Sequence, residues 1–214
     1  MEIRDIRGQW CPGGAEVTSI NTAFKMTTSS KDLGLSLWLQ PPHSFKPHSA
    51  LTKLTTTTFP SSPNFPNSPS FAPHIALTSK IPVSTQLVLP SLTLESIPAP
   101  VIEFGELAHG DAYFKFIFLR IKKTPSLLAL AKHVREKAIP EASKFDENEY
   151  DPHISLVYSG QQATEKRVEY VAWKTSMAIG NADGWIGGRV TLVDTRSENV
   201  AEWKVVEEWS FPEE

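Results

Sequence analysis

One short phrase occurs twice in the chain, as Pro73-His74-Ile75-Ala76-Leu77 and again as Pro152-His153-Ile154-Ser155-Leu156. In an extended strand successive side chains alternate between two faces, so each histidine shares a face with the residue two positions on, while Ile and Leu enter the opposite, apolar layer. The repeat predicts two half-buried strands, each offering one imidazole beside one small neighbour. For a single strand histidine the plainer account is a partly buried ring that hydrogen-bonds a nearby carbonyl. Finding the phrase twice favours chemistry, because two such strands facing one cleft make an acid/base pair that needs no metal.

The surrounding pattern supplies the rest of a fold. From Asp32 onward, Leu33, Leu35, Leu37 and Leu39 alternate with Gly34, Ser36, Trp38 and Gln40, a strand closed by Pro41-Pro42. A helix is expected over residues 48–59, then a proline-rich loop leads into the first histidine strand, at residues 72–79. Two apolar arms, residues 101–107 and 112–121, flank His109-Gly110-Asp111 and read as a hairpin. Thr124-Pro125 reads as a helix cap and first-turn proline, ahead of Leu127, Leu128, Ala131, Val134 and Ala138 at helical spacing. After the second histidine strand, a helix is expected over residues 164–179 with Gly180 ending it, then strands over 185–194 and 201–211. The order predicts an α+β fold of two pseudo-symmetric lobes, antiparallel sheet with helices packed outside and a cleft between the lobes. Residues 1–30 are expected to be a poorly ordered tail and residues 31–214 the two-lobed domain.

Charge and cysteine usage narrow the function classes. Twenty-one basic residues against 24 acidic ones give no basic track for gripping long nucleic acid, while a small anionic ligand fits. The single cysteine, Cys11, allows neither an intramolecular disulfide nor a cysteine metal cluster. No run approaches the ~20 apolar residues of a membrane span, and the first residues lack a secretory pattern. A cytoplasmic monomer is the expectation.

Several other features have ordinary explanations. Asp183-Gly184-Trp185-Ile186-Gly187-Gly188 is glycine-rich but precedes a strand rather than opening a helix, so it reads as a tight turn and not a phosphate cradle. His43, His48, His109 and His133 lack metal-ligand spacing. Lys115, Lys122 and Lys123 read as a solvated strand end, and Trp203 and Trp209 as core seals.

The residues Leu35-Ser36-Leu37-Trp38, Phe71-Ala72-Pro73-His74-Ile75-Ala76-Leu77-Thr78-Ser79, Tyr113-Phe114-Lys115 and Pro152-His153-Ile154-Ser155-Leu156-Val157-Tyr158-Ser159 resemble the two-histidine (2H) phosphoesterase superfamily, and its fungal 2',3'-cyclic-nucleotide 3'-phosphodiesterases in particular. The resemblance covers the chain from about Lys31 to its end. It implies a cofactor-free phosphoric diester hydrolase that opens nucleoside 2',3'-cyclic phosphates to nucleoside 2'-phosphates. It also implies ADP-ribose 1'',2''-cyclic phosphate, a by-product of tRNA splicing, as a physiological substrate, and allows association with the Golgi. Carried over, His74 and His153 are the catalytic histidines, Ser155 is the second motif's hydroxyl and Tyr158 contacts substrate, with Tyr113 and Phe114 lining the base wall. An RNA 2',5'-ligase-like phosphodiesterase is the competing enzyme class.

Imidazoles titrate near pH ~6.5 and can hold or release a proton at neutral pH. One histidine would activate water and the other protonate the departing 3'-oxygen; the working order is His153 as base and His74 as acid. The hydroxyl two residues after each histidine would donate to a non-bridging phosphate oxygen. Here the pattern breaks, because residue 76 is alanine where the family carries threonine. Thr78 could substitute from the same face one step on, the enzyme could work with one donor fewer, or the site could bind nucleotide without efficient turnover. Impaired but real activity is the leading expectation.

Overall fold

The leucine alternation becomes strand β1 (Leu35–Gln40), with Leu37 and Leu39 fully buried. The structure is a computed structural model; it describes residues 34–82, 89–139 and 145–212, and the expected tail at residues 1–30 lies outside them. Helix α1 (His48–Lys53) passes directly into a π-helical turn over Leu54–Thr58. The threonines explain the widening: the hydroxyls of Thr55 and Thr56 both donate to the Thr52 carbonyl, at 3.2 and 2.8 Å, and compete with the backbone ladder. The chain then forms β2 (Ile75–Ile81), β3 (Val101–Ala112), β4 (Lys115–Ile121), α2 (Pro125–Ala138), β5 (His153–Val157), α3 (Glu165–Ile179), β6 (Gly184–Ile186), β7 (Arg189–Asp194) and β8 (Lys204–Ser210). Thr124 caps α2 as expected, its hydroxyl accepting the Leu127 N–H at 3.3 Å.

The strands make an eight-stranded antiparallel sheet in the order β6-β3-β4-β5-β2-β1-β7-β8. The two histidine strands, β2 and β5, are its central pair, so each half contributes four strands and the halves meet where the repeated phrase lies. They meet through one residue pair, Ile75 opposite Ile154. Leu37, Leu39, Ile75, Leu119, Ile154 and Leu156, each nearly or fully buried, join the apolar faces of α2 and α3 in one core.

Two local expectations change. The hairpin does not turn at His109-Gly110-Asp111: His109 pairs with Ile117 and Ala112 with Lys115, so the reversal falls at Tyr113-Phe114. Tertiary hydrogen bonds hold it there, from Ser155 Oγ to the Phe114 carbonyl at 2.7 Å and from the Ser159 N–H to the Tyr113 carbonyl at 3.2 Å. They outweigh the local turn preference of Gly110-Asp111. The expected strand over residues 185–194 is likewise two strands, β6 pairing with β3 and β7 with β1, broken at Gly187 (φ 76°) and Gly188 (φ 118°).

Candidate active site

Register places both histidines on one face. Continuing the Ile75–Ile154 pairing by one residue each way sets His74 across from Ser155 and His153 across from Ala76. Ala76 is exposed, His153 half-buried and His74 8% exposed. The outer neighbours repeat the symmetry: Trp38 of β1 lies opposite Ala76, and Phe118 of β4 lies opposite Ser155. Trp38 stacks on the His74 ring at 3.6 Å and 8°, and Phe118 packs edge-on against His153 at 5.1 Å.

Both imidazoles are oriented by the carbonyl two residues before them, His74 Nδ1 to Ala72 O at 2.7 Å and His153 Nδ1 to Asp151 O at 2.8 Å. A carbonyl only accepts, so each Nδ1 carries the proton and each Nε2 is left with its lone pair. The surroundings then separate the two rings. Burial pushes the His74 pKa down to about 4, against the hydrogen bond to Ala72, and a charge on His153 lowers it further. Burial also lowers His153, but the Asp151 carbonyl and carboxylate oppose it, while Lys115 and Arg120 add to the lowering. Asp151 is tied to Lys115 and lies 3.4 Å from Arg120; burial alone would raise its pKa, and those two cations hold it below the usual carboxylate range.

His74 therefore makes stability pH-dependent. Its folded-state pKa lies below the 6.5 of an unperturbed histidine, so the unfolded chain takes up the proton first. The contribution is complete above about pH 6.5 and is lost as pH falls toward 4, by about 3 kcal/mol in all. Urea unfolding at pH 7 and pH 4.5 should show this loss in the wild type, and His74→Gln should remove most of it.

The hydroxyls depart from expectation. Leu37 pairs with Thr78, Trp38 with Ala76 and Leu39 with Ile75, so Leu77 and Thr78 together oppose Leu37 as a β-bulge. The bulge turns Thr78 to the core face of Leu37, where its hydroxyl is buried without a partner; it cannot stand in at the site. A matching bulge at Leu156–Val157 opposes Ile117. Ser155 does lie on the site face, but its Oγ donates to the Phe114 carbonyl, so no free hydroxyl stands at either position.

Beyond His74 and Ser155 the strand direction leads to an aromatic wall. Tyr158 is buried and stacks on Phe71 at 3.9 Å; Phe114 and Tyr113 lean on Tyr158, at 5.2 and 6.0 Å, and are each 40% exposed. Trp203, expected in the core, instead completes this wall, 5.7 Å from both Trp38 and Phe114. The opposite end, beyond His153, is charged, with Lys115, Arg120 and Asp151. The three lysines read as a solvated strand end all have partners: Lys115 in Asp151, Lys122 in Glu103 at 3.1 Å, and Lys123 in the carbonyls of Glu147 and Asn148.

Sequence reasoning gave no role to Trp38, Phe118, Phe71, Asp151 or Arg120. Trp38 did leave a signal, as the one large ring on the non-leucine face of its strand. His133 binds the Leu92 carbonyl and His43 packs against His48, in keeping with their reading as ordinary histidines.

Residues 33–211 match the family described as cyclic phosphodiesterase-like protein. The chain is 32% identical over 192 residues to a 2',3'-cyclic-nucleotide 3'-phosphodiesterase of Phaeosphaeria nodorum, covering 82% of this chain and 97% of the relative. It is 32% identical to a protein of the same name from Yarrowia lipolytica, covering 81% and 98%. A solved structure described as a phosphoesterase superposes with a TM-score of 0.55 over 85% of this chain and 99% of its own, at 13% identity. E. coli LigT complexed with NADP+ gives 0.52 over 86% and 99%, also at 13%. At that identity the two structures report the fold alone.

Proposed function

We propose, from the premise that the chain belongs to the cyclic phosphodiesterase-like protein family, that it hydrolyses nucleoside 2',3'-cyclic phosphates to nucleoside 2'-phosphates with His74 and His153 as the acid/base pair. One observation carries this reading: two imidazoles on one sheet face, across a single residue pair, each with Nδ1 tied back and Nε2 free. The relatives are named for this activity.

In the reaction, water attacks phosphorus, the bond from phosphorus to the 3'-oxygen breaks, one histidine takes the water's proton and the other protonates the 3'-oxygen. In-line attack sets water and leaving oxygen on opposite sides of phosphorus. The aromatic wall beside His74 suits a nucleoside, which puts the ribose oxygen at His74 and the water at His153, beside Asp151. Free-protein electrostatics alone would favour the reverse, since burial keeps His74 neutral down to about pH 4. Geometry takes precedence, because an acid must reach the oxygen it protonates, and an arriving phosphate anion raises the pKa of the imidazole it meets.

The direct test is incubation with 2',3'-cyclic AMP in EDTA, with the two adenosine phosphates separated by chromatography. The expected product is adenosine 2'-phosphate alone; the 3'-phosphate would mean that the 2'-oxygen, and not the 3'-oxygen, is the leaving group. ADP-ribose 1'',2''-cyclic phosphate carries the same cyclic diester and an adenine for the wall, and is the second substrate to assay, with the 1''-phosphate as product. The alanine at residue 76 and the engaged Ser155 hydroxyl also favour a second reading, a site that binds nucleotide with impaired turnover. Measurable affinity with turnover that rises in Ala76→Thr would support it.

A further inference from the structure

The two histidines are held alike, but by different residues. Ala72 holds His74 and Asp151 holds His153, each through its backbone carbonyl, so the His153 side alone brings a carboxylate to its imidazole at that position. A free carboxylate beside a histidine tends to pair with the ring and to keep it protonated through neutral pH, which disables a base. Here the carboxylate is occupied. Asp151 Oδ2 accepts from Lys115, and its Oδ1 lies 3.4 Å from Arg120 Nη1.

We propose that Lys115 is a positioning residue for His153: by holding the Asp151 side chain it keeps that carboxylate off the imidazole, and so leaves the ring free to take the proton of the attacking water. The proposal rests on the reading of His153 as the base of a phosphodiesterase pair. Its placement comes from β4. Arg120 is paired directly across from His153, and Lys115 begins the same strand, just after the reversal that Ser155 and Ser159 anchor. Phe118, between them in the strand, is a shared wall. Lys115 Nζ lies 4.9 Å from its ring centre and Arg120 Cζ 5.6 Å, while the His153 ring packs on it at 5.1 Å.

Among the described residues, the charged and titratable groups around His153 are Asp151 before it, Lys115 and Arg120 on β4, Glu106 of β3 behind Arg120, and His74 on β2. Arg120 is divided between Glu106 and Asp151, at 3.3 and 3.4 Å. The closer contact of Lys115 is therefore the main hold on the carboxylate. Burial lowers the His153 pKa most, Asp151 raises it through its carbonyl and its charge, and the two cations lower it. Burial would raise the Asp151 pKa, but Lys115 and Arg120 bring it below the ordinary value, so a full negative charge stands there wherever the histidines titrate.

The test follows the ring itself, by NMR titration of the His153 Cε1–H in the full chain, assigned by its loss in His153→Gln. Wild type, Lys115→Met, Asp151→Asn and the double variant are compared, with kcat/KM for 2',3'-cyclic AMP measured against pH alongside. In Lys115→Met the released carboxylate should pair with the imidazole and raise its titration midpoint by about one pH unit, a modest size set by the partial exposure of the pair. The acid limb of kcat/KM should follow it upward. In the Asp151→Asn background the same substitution should move the midpoint less than half as far, because no carboxylate is left to release. Lys115→Arg, which keeps a cation in place, should titrate as the wild type does. An equal shift in both backgrounds would make Lys115 a distant charge only, and no shift would leave Asp151 independent of it; either result overturns the proposal. A shifted midpoint with an unmoved acid limb would uphold the hold on Asp151 and count instead against the reading of His153 as the base.

Discussion

Hydrolysis of 2',3'-cyclic AMP should fall by about 10²–10⁴-fold in His74→Ala and by a similar factor in His153→Ala, the range for losing one positioned general acid or base. Neither change should unfold the protein, because neither ring belongs to the apolar core on the opposite sheet face. What separates the variants is the leaving group. A cyclic analogue with sulfur at the 3' position expels a thiolate that needs little protonation, so it should restore much of the rate in the variant that lost the acid and none in the variant that lost the base. Rescue of His74→Ala alone would fix His74 as the acid; rescue of His153→Ala alone would reverse the order. Full activity in either single variant on the ordinary substrate would dismiss the paired mechanism.

The sequence made the centre of this site legible because the histidine strands are short, strongly alternating and repeated. Face assignment then follows from a period of two, and it holds from His74 to Ala76 and from His153 to Ser155. It fails one step later. A β-bulge at Leu77–Thr78 adds a residue with no signature in the alternation, since leucine and threonine both suit a strand, and the hydroxyl that the pattern carries to the site turns into the core. The hairpin shows the same limit from another cause: Gly110-Asp111 is sound turn chemistry, but Ser155 and Ser159, more than forty residues on, anchor the reversal at Tyr113-Phe114. Trp203 joins the aromatic wall because the β7–β8 connection is bent by local contacts, with Trp203 Nε1 donating to the Ser197 carbonyl at 2.8 Å. Specific contacts such as these, whether near or far along the chain, leave no periodicity to read.

A large loss of stability away from the core is expected from a single methyl group at Gly188. Ile186 ends β6 at one edge of the sheet, and Arg189 begins β7 beside β1 in the other half. Three Cα steps span at most about 11 Å, so the sheet must curl until its two ends nearly meet, and Gly187-Gly188 makes that junction. At Gly188, φ is 118°, and a Cβ would lie 2.5 Å from the Gln40 carbonyl oxygen. That carbonyl belongs to β1, the strand that carries Trp38 to His74, and backbone cannot swing aside as a side-chain tip can. Gly188→Ala should therefore cost about 3 kcal/mol from backbone strain and the clash together, lowering Tm by roughly 6–12 °C for a chain of this size. Gly160→Ala is the control: no atom lies within 4 Å of its added methyl, and its Tm should stay close to that of the wild type. Equal melting of the two variants would mean that the junction yields freely, and that closure of the sheet ends does not hold β1 in register beneath the site.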